Sequence, residues 1–203
     1  NNHLNNLVNK KIIYDLVLTA ETHNFPTLIS PFDGAHTGIG GRIRDNHATG
    51  RGANIIASLA GYCVGNIDFN TKFNDLNYNY KNPLNILINA SNGASDYGNK
   101  VGEPIIGGFT RSYGYKDVEW VKPIMFTAGI GSINRNNLYK KEPQENMCIV
   151  RIGGPAYKIG LGGGFSSSLD QDQSRNSFDY SAVQRGDPQM CNKLNRVIKI
   201  LAD

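Results

Sequence analysis

Apolar runs of strand length recur along this chain, and segments with helical periodicity separate them. The runs at 11–21 and 53–67 are rich in β-branched residues, which is typical of strands. Three more strands are predicted at 107–114, 121–133 and 147–154. The alternation predicts an α+β fold, in which helices cover one side of a mixed sheet.

Two segments carry the signals of helices. The first opens at Asn82 and Pro83, because proline is preorganised for the first turn of a helix, and Gly98 is expected to end it. The second spans 189–203. It places five apolar side chains on one helical face: Met190, Leu194, Val197, Ile198 and Leu201.

The polar stretch at 134–146 predicts a linker between two units. The first unit is an α/β subdomain at 1–140, and the second, at 145–203, is the beginning of a partner subdomain. The helical pattern runs to the last residue, so we expect the chain to be a piece of a larger protein. Two Asn-rich stretches are interpreted as a frayed terminus and a surface loop: 1–10 and 69–82.

Composition and charge exclude little. The 203 residues carry 21 basic and 17 acidic side chains, a net charge of +4 that suits a phosphate-bearing small ligand as well as nucleic acid. Cys63, Cys148 and Cys191 are far apart, which favours neither a disulfide framework nor a zinc site. No apolar run reaches the roughly 18 residues of a membrane span. We therefore expect a cytoplasmic protein.

Residues 21–53 crowd glycines, histidines, arginines and carboxylates into one stretch. The glycines leave the backbone free to approach a ligand, and N–H groups at a helix N-terminus are suited to phosphate oxygens. Their spacing matches neither of the two common nucleotide-binding glycine motifs. A phosphate loop and an ordinary tight turn both remain open for four glycines: Gly34, Gly38, Gly40 and Gly41.

Glu21 and Asp45 flank these glycines. Two acids beside a phosphate repel it unless a cation joins them, and Mg²⁺ takes one or two carboxylates, so the pair is a candidate magnesium site. Arg44 is either the ion-pair partner of Asp45 or a clamp for an anion. His23 is a candidate general base, although a lone histidine is more often structural. Two other histidines are interpreted as loop residues: His36 and His47.

Several sequence blocks together resemble the phosphoribosylformylglycinamidine synthase family. They are ETHNFP, GAHTGIGGRIRD, ATGRGA, ASNGASDYGNKVGEP, KPIMFTAGIGSI, GGPAYKIGLGGG and AVQRGDPQM. The resemblance implies the ferredoxin-like sheet of the aminoimidazole ribonucleotide synthetase superfamily. It also implies an ATP-dependent ligase of purine biosynthesis, which converts formylglycinamide ribonucleotide into formylglycinamidine ribonucleotide with glutamine as the nitrogen donor. Ammonia would come from a glutaminase domain outside this chain.

The resemblance also implies roles for individual residues. His23 matches a proton acceptor, and Glu21 and Asp45 match magnesium ligands. Four residues match substrate contacts: Thr22, Asn24, Arg44 and Gln184. Two segments match ATP-binding residues: Gly34, Thr37, Gly38, Gly40, Gly41, Arg44 and Asp45 in the first, and Gly107, Gly108 and Phe109 in the second.

The family implies a synthetase core of two related halves, of which this chain is part of the first. The expected partner is therefore the second half or another copy of the chain, with no nucleic acid and no membrane. One alternative is a sister enzyme, such as aminoimidazole ribonucleotide or selenophosphate synthetase, and the ASDYGNKVGEP block argues against it. The other is an RNA-binding domain, although the ten tyrosines are scattered. Whether the glycines serve the working site or a structural nucleotide site stays open.

Overall fold

The computed structural model describes residues 11–67, 82–115, 118–169 and 176–202. The Asn-rich terminus and nearly all of the Asn-rich loop interpreted above lie outside these residues. In chain order the elements are β1 (Tyr14–Thr22), α1 (Asn24–Ile29), α2 (Pro31–Ala48), β2 (Asn54–Val64), α3 (Pro83–Val101), β3 (Ile105–Ser112), β4 (Gly114–Tyr115), β5 (Val118–Glu119), β6 (Ile124–Asn134), a 3-10 turn (Arg135–Asn137), α4 (Gly163–Ser167), α5 (Asn176–Ala182) and α6 (Pro188–Ala202).

Four strands form the main sheet in the order β1-β6-β2-β3. Strand β6 is antiparallel to both β1 and β2, whereas β2 and β3 are parallel. Parallel neighbours need a crossover connection, and α3 lies in the chain between β2 and β3. The predicted α+β fold with a mixed sheet is confirmed.

Helices α2 and α3 pack against each other and onto one face of this sheet. Strand β6 shows why, because its eleven residues alternate between buried and half-buried along its whole length. On the buried face, Met125 packs with Ile39 and Ile43 of α2 and with Ala94 and Tyr97 of α3. The hydrophobic core therefore lies between the sheet and the helix pair.

Helix α3 begins where the sequence predicts but ends later. The side-chain oxygen of Asn82 accepts a hydrogen bond from the N–H of Asn85 at 3.1 Å, which caps the first turn. The predicted end at Gly98 is wrong, because the helix continues to Val101. It ends at Gly102, whose left-handed backbone (φ +90°) closes the helix and whose N–H donates to the Gly98 carbonyl at 2.9 Å.

The strand predicted at 147–154 is wrong. These residues are irregular, and the side chains of Ile149 and Val150 are exposed. A strand needs a neighbour for its backbone N–H and C=O groups, and within the described residues no sheet ladder includes this segment. A short apolar run is therefore not sufficient for a strand here.

The predicted C-terminal helix is confirmed as α6, but its predicted apolar face is buried only in part. Leu194 and Ile198 are half-buried, and the other three side chains are exposed: Met190, Val197 and Leu201. Helix α6 packs on α3 through residues that include Cys191. The division of the chain into units at 1–140 and 145–203 stays a prediction.

Helices α1, α2, α4 and α5 have no counterpart among the predicted elements. They are short or rich in glycine, serine and asparagine, which favour turns and loops in isolation, so tertiary contacts decide their conformation. In the part of the chain that the structure describes, no helix combines the length and the apolarity needed to cross a membrane.

The face of the sheet opposite the helices is apolar and open. Leu18 on β1 is 78% exposed and Ile106 on β3 is 70% exposed. Both contribute to a shallow groove of about 430 Å³, whose lining also includes Leu59, Ala128 and Ile130. Contiguous apolar surface of this kind marks an interaction site on a soluble protein.

We predict that the isolated 203-residue chain self-associates through this open face. Leu18→Glu places a charge in the middle of the face, so light scattering should show a mass that falls toward the monomer. Ile200 on α6 is also 78% exposed but lies away from the face, and Ile200→Glu is the matched control. A parent chain that is already monomeric would contradict the prediction.

Candidate functional site

The glycine-rich stretch lies inside helix α2 and not in a loop. Gly34, Gly38, Gly40 and Gly41 all fall within Pro31–Ala48. Beyond its first turn, a helix uses its own N–H groups for internal hydrogen bonds, so those of Gly38 to Gly41 are not free to cradle a phosphate. The two alternatives left open for these glycines, a phosphate loop and an ordinary tight turn, are therefore both wrong, while contact between these residues and ATP stays a prediction.

Glycine occurs in α2 because the helix lies too close to its neighbours for a side chain. A Cβ atom at Gly34 would overlap the backbone of Pro26 and Thr27. At Gly38 it would lie 2.9 Å from the Cβ of His23, and at Gly40 it would lie 2.5 Å from the ring of Tyr97. The glycines thus permit close packing of α2 against α1, β1 and α3.

His23 lies at the N-cap of α1, directly after β1. Its Nδ1 is 2.6 Å from the carbonyl oxygen of Gly34, and because a carbonyl only accepts, Nδ1 must carry the proton. In the neutral ring Nε2 then has a free lone pair. Burial lowers the pKa of His23, as does the charge of Arg44, whereas the Gly34 hydrogen bond raises it. The net shift is downward, so His23 is neutral near pH 7 and fits the role of a proton acceptor.

A cavity of about 450 Å³ adjoins His23. It brings together Thr22, His23 and Asn24, from the junction of β1 and α1, with Gln184, which follows α5. Three of the four predicted substrate contacts therefore share one cavity with the predicted base. The remaining lining residues are Phe25, Pro26, Lys122, Gly160, Gly163, Gly164, Ser167 and Ala182.

Two hydrogen bonds hold the walls of this cavity in place. The Asn24 side-chain oxygen accepts from the N–H of Met125 at 3.0 Å, which ties α1 to β6. The buried hydroxyl of Thr37 donates to the carbonyl of Gln184 at 2.9 Å, which ties the segment after α5 to α2. Thr37 thus positions a wall of the cavity, a contact that its predicted role in ATP binding does not include.

Lys122 is a cavity residue that sequence reasoning missed. It is half-buried two residues before β6, and its Nζ donates to the Ser167 carbonyl at 3.2 Å. Its place in the KPIMFTAGIGSI block is the one signal in the sequence that could have indicated it.

The carboxylates of Glu21 and Asp45 interact electrostatically, which is compatible with the magnesium prediction. Partial desolvation raises the pKa of Glu21, and the charge of Asp45 raises it further, while the charges of Arg42 and Arg44 lower it. A Cβ at Gly41 would lie 3.4 Å from Glu21 Oε1, so the carboxylate sits against α2. Two carboxylates that repel each other, both accessible to solvent, fit a hard divalent cation.

No larger group of metal-ligating side chains occurs within the described ranges. No three His, Cys, Asp or Glu side chains cluster there in a way that could hold a metal ion. Two carboxylates match the one or two that Mg²⁺ takes in proteins, because phosphate and water oxygens complete its shell. Glu21 and Asp45 are therefore a pair that could hold magnesium.

Arg44 does not line the cavity beside His23. It is exposed on α2 and borders a neighbouring cavity of about 280 Å³ together with Tyr97 and Cys191. Its Nη1 donates to the Tyr97 hydroxyl at 3.3 Å. Arg44 is thus held by α3, and the predicted substrate contacts are distributed over two cavities.

The predicted ATP-binding trio on β3 lies away from these cavities. Gly107, Gly108 and Phe109 belong to the edge strand of the sheet and line neither cavity. The ring of Phe109 packs against Phe126 on β6, with ring centroids 5.8 Å apart. The structure therefore does not bring this trio together with the glycines of α2.

His36 and His47 are buried on α2, so their interpretation as loop residues is wrong. His36 Nε2 lies 3.2 Å from the carboxylate of Asp96, and its ring stacks on Phe32. Burial lowers the pKa of His47 to about 4, assisted by the charges of nearby Lys199 and Arg42. Both histidines therefore belong to the packing of the helix layer.

Comparison with known proteins identifies the family of this chain. A family model described as "AIR synthase related protein, N-terminal domain" matches residues 8–133. The chain belongs to this family. Its resemblance to phosphoribosylformylglycinamidine synthases is also confirmed: the enzyme of that name from Dictyostelium discoideum is 53% identical over 196 residues, and the human one is 51% identical over 197.

This AIR synthase related chain spans only a small part of those relatives. The alignments cover 91% of the chain but 14% and 15% of the Dictyostelium and human proteins. Among solved structures, "T. maritima PurL complexed with FGAR" superimposes with a TM-score of 0.67 at 23% identity, over 95% of this chain and 28% of that one. "T. maritima PurL complexed with ATP" gives 0.61 at 21% identity, over 95% and 26%. At these identities the structures show the shared fold alone.

The packing of α2 predicts opposite effects for two of its glycines. Gly34→Ala should lower the free energy of unfolding by about 1–3 kcal/mol, because its methyl group overlaps the α1 backbone. Gly41→Ala meets only ordinary contacts and should raise it by about 0.5–1 kcal/mol, through better helix propensity. Urea unfolding of the two variants measures both. A large loss of stability in Gly41→Ala would contradict the helical assignment.

Proposed function

We propose that the chain is part of the synthetase core of a phosphoribosylformylglycinamidine synthase. The proposed reaction converts formylglycinamide ribonucleotide, ATP, glutamine and water into formylglycinamidine ribonucleotide, ADP, phosphate and glutamate. Relatives of that name at about 50% identity support it, as do fold neighbours complexed with FGAR and with ATP. The observation that carries the proposal is the cavity where Thr22, His23, Asn24 and Gln184 meet.

In the proposed mechanism ATP converts the amide oxygen of the substrate into a phosphoryl ester. Ammonia then attacks the amide carbon, the new C–N bond forms, and phosphate leaves as the C–O bond breaks. The attacking nitrogen must lose a proton, and His23 Nε2 is the acceptor. Gly34 supports this role because its carbonyl holds the other ring nitrogen in the protonated form.

The rest of the reaction requires groups outside this chain. A glutaminase domain of the full-length protein would supply the ammonia, and the second half of the synthetase core would cover the open sheet face. The relatives named above are about seven times as long as this chain, which is compatible with such additional parts. A cytoplasmic location stays a prediction, since one relative, from Arabidopsis thaliana, is named as chloroplastic/mitochondrial.

His23→Ala in the full-length enzyme should lower the rate of ammonia-dependent synthesis by about 100- to 10,000-fold, the usual range for a lost general base. The parent should lose activity as the pH falls, because His23 must be neutral to accept a proton. Since burial lowers its pKa, this acidic limb should lie below the ordinary value of 6.5.

His47→Ala serves as the control for His23→Ala. His47 is a buried histidine of α2, and it lines neither cavity. Its loss should affect stability more than turnover. Synthesis at the parental rate by His23→Ala, or an unchanged acidic limb, would remove His23 from the mechanism.

Glu21 and Asp45 would hold a magnesium ion when it is bound, and the ion would neutralise phosphate charge beside them. Glu21→Gln and Asp45→Asn keep the shape of each side chain but remove its charge. Both variants should raise the magnesium concentration needed for half-maximal synthesis, while their melting temperatures stay near that of the parent. Unchanged magnesium dependence combined with a large fall in melting temperature would show that the carboxylates are structural.

A further inference from the structure

Tyr97 is a fully buried tyrosine beside the cavity that Arg44 borders. The ring lies on Gly40 of α2, and it meets the ring of His36 edge-on, with centroids 4.8 Å apart. On another side Gly186 approaches so closely that a Cβ there would lie 2.8 Å from the ring. Packing on these three sides leaves the ring a single position.

The hydroxyl of Tyr97 has a partner on each of two other helices. It accepts a hydrogen bond from Nη1 of Arg44 on α2 at 3.3 Å, and it also interacts with Cys191 on α6. A phenol has one donor and free acceptor capacity, so it can serve both partners at once. Burial raises the pKa of Tyr97, and Cys191 raises it further, so the hydroxyl keeps its proton.

The positive charge of Arg44 acts on both the predicted base, His23, and the predicted magnesium ligand Glu21. This charge lowers the pKa of His23 and that of Glu21. The guanidinium is exposed, and an exposed arginine on a flexible stem samples many rotamers that a bound anion would have to restrict. A fixed hydrogen-bond acceptor beneath it removes part of that entropic cost before the ligand arrives.

We propose that Tyr97 is a positioning residue, whose hydroxyl presents the Arg44 guanidinium to an anionic oxygen of the ribonucleotide substrate. The inference rests on the proposed function, because it assumes that Arg44 contacts this substrate. Tyr97 itself touches no reacting atom. Cys191 links the hydrogen-bonded pair of Tyr97 and Arg44 to α6. The orientation of Arg44 therefore depends on the docking of that helix on α3.

The test is Tyr97→Phe in the full-length synthetase, since this change removes one oxygen and keeps the ring. Losing a hydrogen bond to a charged group corresponds to roughly a tenfold or larger change, so KM for formylglycinamide ribonucleotide should rise at least about tenfold. KM for ATP should be unchanged, and kcat should change by less than about threefold.

Tyr62→Phe is the matched control for this variant. Tyr62 is a buried tyrosine on β2 whose hydroxyl bonds to Ser91, and it lines neither cavity. It should lose comparable stability while keeping the parental KM values. Equal KM values in Tyr97→Phe and Tyr62→Phe, or a parallel rise of KM for both substrates in Tyr97→Phe, would overturn the proposal.

A double-mutant cycle tests whether Tyr97 acts through Arg44. In an Arg44→Ala background Tyr97→Phe should have no further effect on KM, and a full additional effect would overturn the proposal.

If the parent makes no product, the proposed function fails. Calorimetric binding of formylglycinamide ribonucleotide still tests the inference in that case: Tyr97→Phe should bind at least about tenfold more weakly, and equal binding by parent and variant, or no binding by either, overturns it.

Discussion

The close approach of α2 to its neighbours is the constraint on which the site depends. Three glycines of this helix leave no space for a Cβ against α1, His23 and Tyr97. Because α2 lies so near, the Gly34 carbonyl reaches His23 and selects its tautomer. The same approach sets Glu21 against the helix near Asp45. A base, a carboxylate pair and an arginine are thereby assembled around one helix.

A buried ion pair supports this packing from the other side of α2. Arg42 is fully buried, pairs with Glu103 after α3 and donates through Nε to Thr127 on β6 at 3.0 Å. Residues two apart on a helix point about 200° away from each other, so Arg42 enters the core while Arg44 remains at the surface. A buried pair adds little net stability, but breaking it would strand a charge, so it favours one orientation of α2.

The sequence predicted the four strands of the main sheet because strand patterns are local, but the same local pattern also predicted a strand at 147–154 that the structure lacks. It failed on α2, because glycines that permit close packing look the same as glycines in a loop until the neighbours are known. The residues of the site likewise fall into those that a local motif indicates and those that only the packing reveals. Thr22, His23 and Asn24 are consecutive, so one motif indicated all three. Tyr97, by contrast, lies 53 residues from its partner Arg44, and only the packing of α3 on α2 reveals that contact.

A crystal structure of the full-length synthetase with formylglycinamide ribonucleotide bound tests the central claim most directly. That claim is that the packing of α2 creates one substrate site that spans both cavities, with His23 in one and Arg44 in the other. The account predicts that the glycinamide carbonyl, the group that becomes the amidine, faces His23 Nε2 with room for an attacking nitrogen to donate to Nε2 at about 3 Å. It also predicts that Nδ1 remains bonded to the Gly34 carbonyl and that Arg44 contacts an anionic oxygen. Substrate bound away from α2, or a His23 ring turned away from Gly34, would contradict it.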